Sequence, residues 1–134
     1  MKHIPWNDLY LVGHELIDLQ HKKLFEIAER MYVLILERRL DAQELKHIIA
    51  DLSDYAKYHF SCEEMLMQEV QFPFIRSHRQ QHIKINERVA ATIQDFENGI
   101  DIDIEQLYLF LVHWLVDHIT LMDKQIAMYI QKLQ

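Results

Sequence analysis

The chain has little of what punctuates a polypeptide. Two glycines and two prolines occur in 134 residues. An all-β architecture needs many tight turns, so this scarcity leaves room for only a few long helices. Cysteine is nearly absent as well. Cys62 stands alone, which excludes an internal disulfide and fits a reducing, cytoplasmic setting. Basic charge is in the minority: 14 Lys and Arg face 21 Asp and Glu, a formal net charge of −7. With no basic stripe on any helical face, nucleic acid is not an expected partner. Long hydrophobic runs are missing too. The stretch "LYLFLVHWLV" at 107 to 116 is too short to span a bilayer and is interrupted by a histidine. The opening "MKHIPWNDLY" lacks the apolar centre of a signal peptide. Membrane insertion is therefore not expected.

What is present is apolar bulk and histidine. Half of the residues are hydrophobic, enough for one domain over 1–134 with a real core. Four segments carry apolar residues at helical spacing, over about 18–38, 41–69, 74–97 and 103–131, and none shows strand alternation. Asp41 and Asp103 stand where N-terminal caps belong, Glu44 can close a capping box on Asp41, and Gly99 suits a C-terminal cap. Helix two should stop before Pro73, because the residue preceding a proline is pushed out of helical geometry. Short connections make consecutive helices antiparallel. The expectation is an all-α, up-down-up-down four-helix bundle preceded by an arm, residues 1–15, that Trp6 could anchor.

Nine histidines are many for this length, and several fall on the apolar stripes. His21 shares a face with Leu24, Phe25 and Ala28. His59 and Glu63 extend the face of Leu45, Ile48, Ile49, Leu52 and Ala56. His78 and His82 lie with Ile75, Ile85 and Val89, and His118 with Leu111, Trp114, Leu115 and Met122. Residues four apart on a helix point the same way, so His59 with Glu63 and His78 with His82 are paired donors. A single core histidine is usually a hydrogen-bonded structural residue. Five of them around a buried carboxylate pose a harder problem, since every ring nitrogen needs a partner and the carboxylate needs a cation. Metal ions meet both needs. Five imidazoles suit two ions, and donors rich in nitrogen and free of thiolate suit iron, zinc, copper or nickel.

The segments "WNDLYLVGHELIDLQHKKL" (6 to 24), "HFSCEEMLM" (59 to 67), "HRQQH" (78 to 82) and "WLVDHITLMD" (114 to 123) together resemble the hemerythrin family, bacterial type, over nearly the whole chain. The resemblance implies a non-haem di-iron centre inside the bundle. His78, His82 and His118 would hold one iron, and His21 and His59 the other, leaving it an open position. Glu63 and Asp123 would bridge the two, together with a solvent-derived oxo or hydroxo group. Periodicity alone does not find Asp123. Five residues turn an α-helix through about 500°, which sets it roughly 140° from His118. Either the helix widens there into a π-type turn, or Asp123 reaches in from the flank. Phe72 stands where relatives commonly have tyrosine, and His113 is a histidine outside the motif.

With one open iron position, the resemblance implies reversible binding of dioxygen, for carriage, storage or delivery, and not an enzyme. Leu24, Phe60, Leu115 and Ile119, each near a ligand in helical position, are candidates for a dry pocket wall. The alternatives are a di-iron enzyme acting on dioxygen, peroxide or nitric oxide, and an oxygen sensor working through a partner; no protein partner can be named. Oxygen-activating carboxylate bundles use Glu-x-x-His motifs, and none lies on a ligand stripe here. His3, His14, His47 and His113 are expected to be solvated or structural, and Cys62 a small packing residue.

Overall fold

The computed structural model describes residues 2–38 and 41–134; among them every regular element is helical. A short 3-10 helix, Asp8–Tyr10, sits in the N-terminal arm. Four long helical stretches follow: α1, Glu15–Leu36; α2, Ala42–Glu69; α3, Ile75–Glu97; and α4, Ile104–Asp117. A π-helical turn, His118–Asp123, then leads without a break in helical backbone angles into α5, Lys124–Lys132. Helix α1 packs against α2 and α4, and α2 against α3, which makes a four-helix bundle with α4, the π turn and α5 acting as one rod.

Two boundaries differ from the expectation for local reasons. Helix α1 begins at Glu15, not 18, because His14 caps it: the His14 Nδ1 accepts from the Ile17 N–H at 3.3 Å. One turn in, the buried Asp18 carboxylate reaches back to accept from the N–H groups of Val12 and Gly13 at 2.8 and 3.2 Å. Gly13 is needed at this bend, where φ is +93° and a Cβ would lie 3.0 Å from the Gln131 amide nitrogen. At its other end α1 stops at Leu36, before Arg38 takes a φ of +52°. Residues 39 and 40, between the first two expected helices, lie outside the described residues.

The caps at Asp41 and Asp103 accept from the N–H groups of Gln43 and Glu44 and of Gln106. Gly99 follows α3 at a φ of +73°. The arm is fixed to the bundle by aromatic contacts: Trp6 meets Phe25 edge-on at 5.6 Å, Tyr10 stacks on Phe25 at 5.3 Å, and His3 stacks on Tyr32 at 4.0 Å. The backbone N–H of Ile4 donates to the hydroxyl of the fully buried Tyr108. No helix among the described residues is long and apolar enough to cross a membrane.

Candidate metal centre

Within this bundle the core changes along its length: one half is hydrocarbon throughout, and the other sets polar side chains among its apolar ones. Helix α1 supplies His21, α2 supplies His59 and Glu63, α3 supplies His78 and His82, α4 leads into His118, and the π turn closes on Asp123. None of these seven side chains is more than 3% exposed. The π turn is what brings Asp123 in. Hydrogen bonding from i to i+5 widens the coil so that the fifth residue comes back over the first. Asp123 Oδ1 thus lies 3.0 Å from His118 Nε2. Of the two geometries open to the sequence, the widened turn is the one the chain adopts.

The five imidazoles turn Nε2 toward the two carboxylates. Asp123 Oδ2 lies 2.5 Å from His21 Nε2 and 3.6 Å from His59 Nε2, while its Oδ1 lies 3.0 Å from His78 Nε2. Glu63 Oε1 lies 2.8 Å from His59, 3.1 Å from His118 and 3.4 Å from His82, and Oε2 lies 3.8 Å from His78. Each carboxylate therefore faces histidines of both expected sets. Two groups of donor atoms result, each with all members within 4.8 Å of one another. One is Glu63, His78, His82 and His118; the other is His21, His59, Glu63 and Asp123.

Hydrogen bonds around the cluster decide whether a metal fits. His59 Nδ1 donates to Gln20 Oε1 at 2.6 Å, and His82 Nδ1 donates to Glu64 Oε2 at 3.2 Å. An amide oxygen and a carboxylate only accept, so each Nδ1 carries a proton and Nε2 is the nitrogen turned toward the carboxylate oxygens, the one a metal ion would take. With neither a proton nor a cation between them, lone pairs would face lone pairs in a site closed to water. The Nε2 atoms of His59, His78 and His82, with Glu63 Oε2 and Asp123 Oδ1, have no hydrogen-bond partner. A cation between them satisfies all of these atoms at once, and a ring nitrogen held from behind by an oxygen acceptor is the usual setting of a metal-bound histidine. The donor set fits.

Charge in the metal-free site points the same way. Burial by itself would lower His59, yet the Glu63 and Asp123 carboxylates lift it to about 9; against the same burial, Asp123 and Glu63 lift His118 to about 10. Burial and the neighbouring Asp123 push Glu63 upward, but His59 and His118 outweigh them and leave it at about 2. Asp123, despite its burial, is held well below the usual carboxylate range, mainly by His118. The carboxylates stay anionic and require positive charge beside them.

Aromatic and aliphatic side chains close the site. Phe60 stacks on His82 at 4.0 Å and Trp114 on His118 at 4.8 Å. Leu24 and Leu115 line a small cavity of about 20 Å³ with Trp114 and six other apolar residues. Phe60 and Ile119 do not line it, although both are fully buried. Phe72, also buried, meets Phe74 and Tyr129 edge-on. Of the remaining histidines, His47 and His113 are exposed, His14 caps α1, and His3 Nε2 pairs with Glu29 at 2.7 Å. Cys62 is half-buried outside both donor groups. Sequence reasoning missed Gln20 and Glu64. The available signal was position: each adjoins a stripe residue, Gln20 beside His21 and Glu64 beside Glu63.

Comparison with known proteins agrees with this geometry. A family model described as the hemerythrin HHE cation binding domain matches residues 12–130. A bacteriohemerythrin of Clostridium acetobutylicum is 31% identical over 123 residues, covering 90% of this chain and 95% of that one. One of Stenotrophomonas maltophilia is 31% identical over 116 residues, covering 87% of this chain and 74% of that one. Among solved structures, a wild-type hemerythrin superposes with a TM-score of 0.83 at 24% identity, over 92% of this chain and 94% of its own. A substituted hemerythrin reaches a TM-score of 0.87 at 23% identity, over 96% of this chain and 98% of its own.

Proposed function

The chain belongs to the hemerythrin family, and on that premise we propose that it binds dioxygen reversibly at two iron ions, for carriage or storage. In this reading His78, His82 and His118 hold one iron, His21 and His59 hold the other, and Glu63 and Asp123 join them. The observation that carries it is the convergence of five Nε2 atoms, drawn from every long helix, on two buried carboxylates that each face both sets. Two ferrous ions there would supply the two electrons that dioxygen takes up on binding and returns on release. With two histidines against three, the His21 and His59 side would be the one left open to a ligand.

The chain's own residues do the rest. Gln20 and Glu64 fix two of the rings by holding Nδ1–H, so Nε2 is presented inward as a donor. Phe60 and Trp114 brace His82 and His118 by stacking. Leu24 and Leu115 keep the adjoining cavity apolar, which excludes the water and protons that would let a reduced oxygen species escape. The nine residues lining that cavity carry no carboxylate, imidazole, hydroxyl or thiol. A pocket without an acid or base suits holding a small apolar molecule better than transforming one.

The test is the absorption spectrum of iron-loaded protein, reduced without air, exposed to air and then degassed. Two irons per chain, with a charge-transfer band that rises in air and fades on degassing, is the expected result. A band that forms once and decays irreversibly, or no iron-dependent band at all, would overturn the reading.

A further inference from the structure

Resting on the metal reading above, we infer that Glu64 and Gln20 make the two metal positions unequal, Glu64 being the positioning residue that renders the His78, His82 and His118 side the tighter of the two. The two residues occupy equivalent places behind the site. Glu64 accepts from His82 Nδ1 at 3.2 Å, and Gln20 accepts from His59 Nδ1 at 2.6 Å. They differ in charge. Glu64 is a carboxylate, and Gln20 is a neutral amide.

That difference matters at the metal. A ring whose Nδ1–H points at an anion carries more electron density on Nε2 and is the stronger donor; a ring backed by an amide gains orientation with little added basicity. His82 therefore gives the three-histidine side its best donor, beyond the advantage of having one more imidazole. Glu64 is itself fixed, since Arg79 Nε donates to its other oxygen, Oε1, at 3.2 Å. The guanidinium sets the carboxylate's position while leaving Oε2 for the histidine. Glu64 is about a third exposed and Arg79 about half, so this support reaches the surface. Gln20 is buried, with Tyr58 beside it. The residue behind His59 is thus buried, and the one behind His82 is part-exposed.

The experiment is a titration of the metal-free, full-length chain with Co²⁺, without air, following ligand-field absorbance and the exchangeable imidazole N–H signals in the proton NMR spectrum. Wild type is expected to bind two ions in distinguishable steps. Glu64→Ala should weaken the tighter step by roughly ten- to a hundred-fold, the usual cost of losing a hydrogen-bond partner behind a metal-bound histidine. Glu64→Gln keeps an acceptor oxygen and removes the charge; it should show a smaller loss in the same step and a shifted His82 N–H signal. Gln20→Met should weaken the other step only. This crossed pattern separates tuning from general damage, which would lower both steps together. Equal weakening of both steps in every variant, or no change in any, overturns the inference while leaving two-metal binding intact. A wild-type chain that takes up no Co²⁺ overturns the metal reading and this inference with it.

Discussion

Helix α2 holds both halves of the molecule on one stripe. Its first four turns bury Leu45, Ile48, Ile49, Leu52 and Ala56; its later turns bury His59 and Glu63 just as completely. The packing is equally tight, but the physics is opposite. In the first half, burial is itself favourable, at about 25 cal/mol for each Å² of apolar surface removed from water. In the second, burial opposes folding until each ring nitrogen and carboxylate oxygen finds a partner. The apolar half stabilises the bundle, and the polar half exploits that stability to hold a site water would otherwise disperse.

The largest break in this comparison comes from Glu63→Ala. Glu63 belongs to both donor groups, so the substitution should abolish binding of both metal ions while the far half keeps the chain helical. Metal content by mass spectrometry, with far-ultraviolet circular dichroism, checks both parts. The reciprocal change is Ile48→Ala, in a fully buried position of the apolar half. It should cost about 2–5 kcal/mol of folding stability by leaving a cavity, with metal stoichiometry unchanged, as read by denaturant unfolding and metal analysis.

Metal removal should spare the fold. If the apolar half carries folding, chelated protein stays folded and loses only the linkage term, about 2.7 kcal/mol for each ion where free metal stands at a hundred times its dissociation constant. Complete unfolding on chelation would assign the stability to the wrong half.

A further effect is a pH dependence confined to the polar half. In metal-free protein His59 and His118 are raised to about 9 and 10, so their contribution is complete below the ordinary histidine value near 6.5 and is lost as pH rises through the folded values. Metal-free protein should therefore lose thermal stability between about pH 6.5 and 10. Loading metal at pH 7 should release protons from the same rings, as a pH-stat would record. Glu63 and Asp123, both lowered, contribute above the ordinary carboxylate range, and that contribution is lost as pH falls toward about 2.

Much of the comparison was legible in the residues. His59 and Glu63 stand out because they occupy positions that Leu52 and Ala56 lead into, and a stripe is a local property of a helix. His78 and His82 are visible for the same reason. Asp123 is not, because its place depends on a π turn that five-residue spacing in an α-helix denies; only the resemblance to a family supplied it. Gln20 and Glu64 carry no mark of their own in the sequence, since neither lies on an apolar stripe. Their role exists only once α1 lies beside α2 and α3 beside α2, which brings a side chain of one helix behind a histidine of another.

The sequence by itself determined the helices and the polarity of each face, because hydrogen bonding within a helix and the repeat of its side chains are set by neighbours a few residues away. It also marked which histidines would be buried. The tertiary structure alone decided which nitrogen of His59 and His82 faces inward, that Asp123 meets His118, and that one ring is backed by a carboxylate and the other by an amide. Those outcomes depend on hydrogen bonds between residues 18 to 39 positions apart, or on a helix opening by one residue per turn, and no local pattern encodes either.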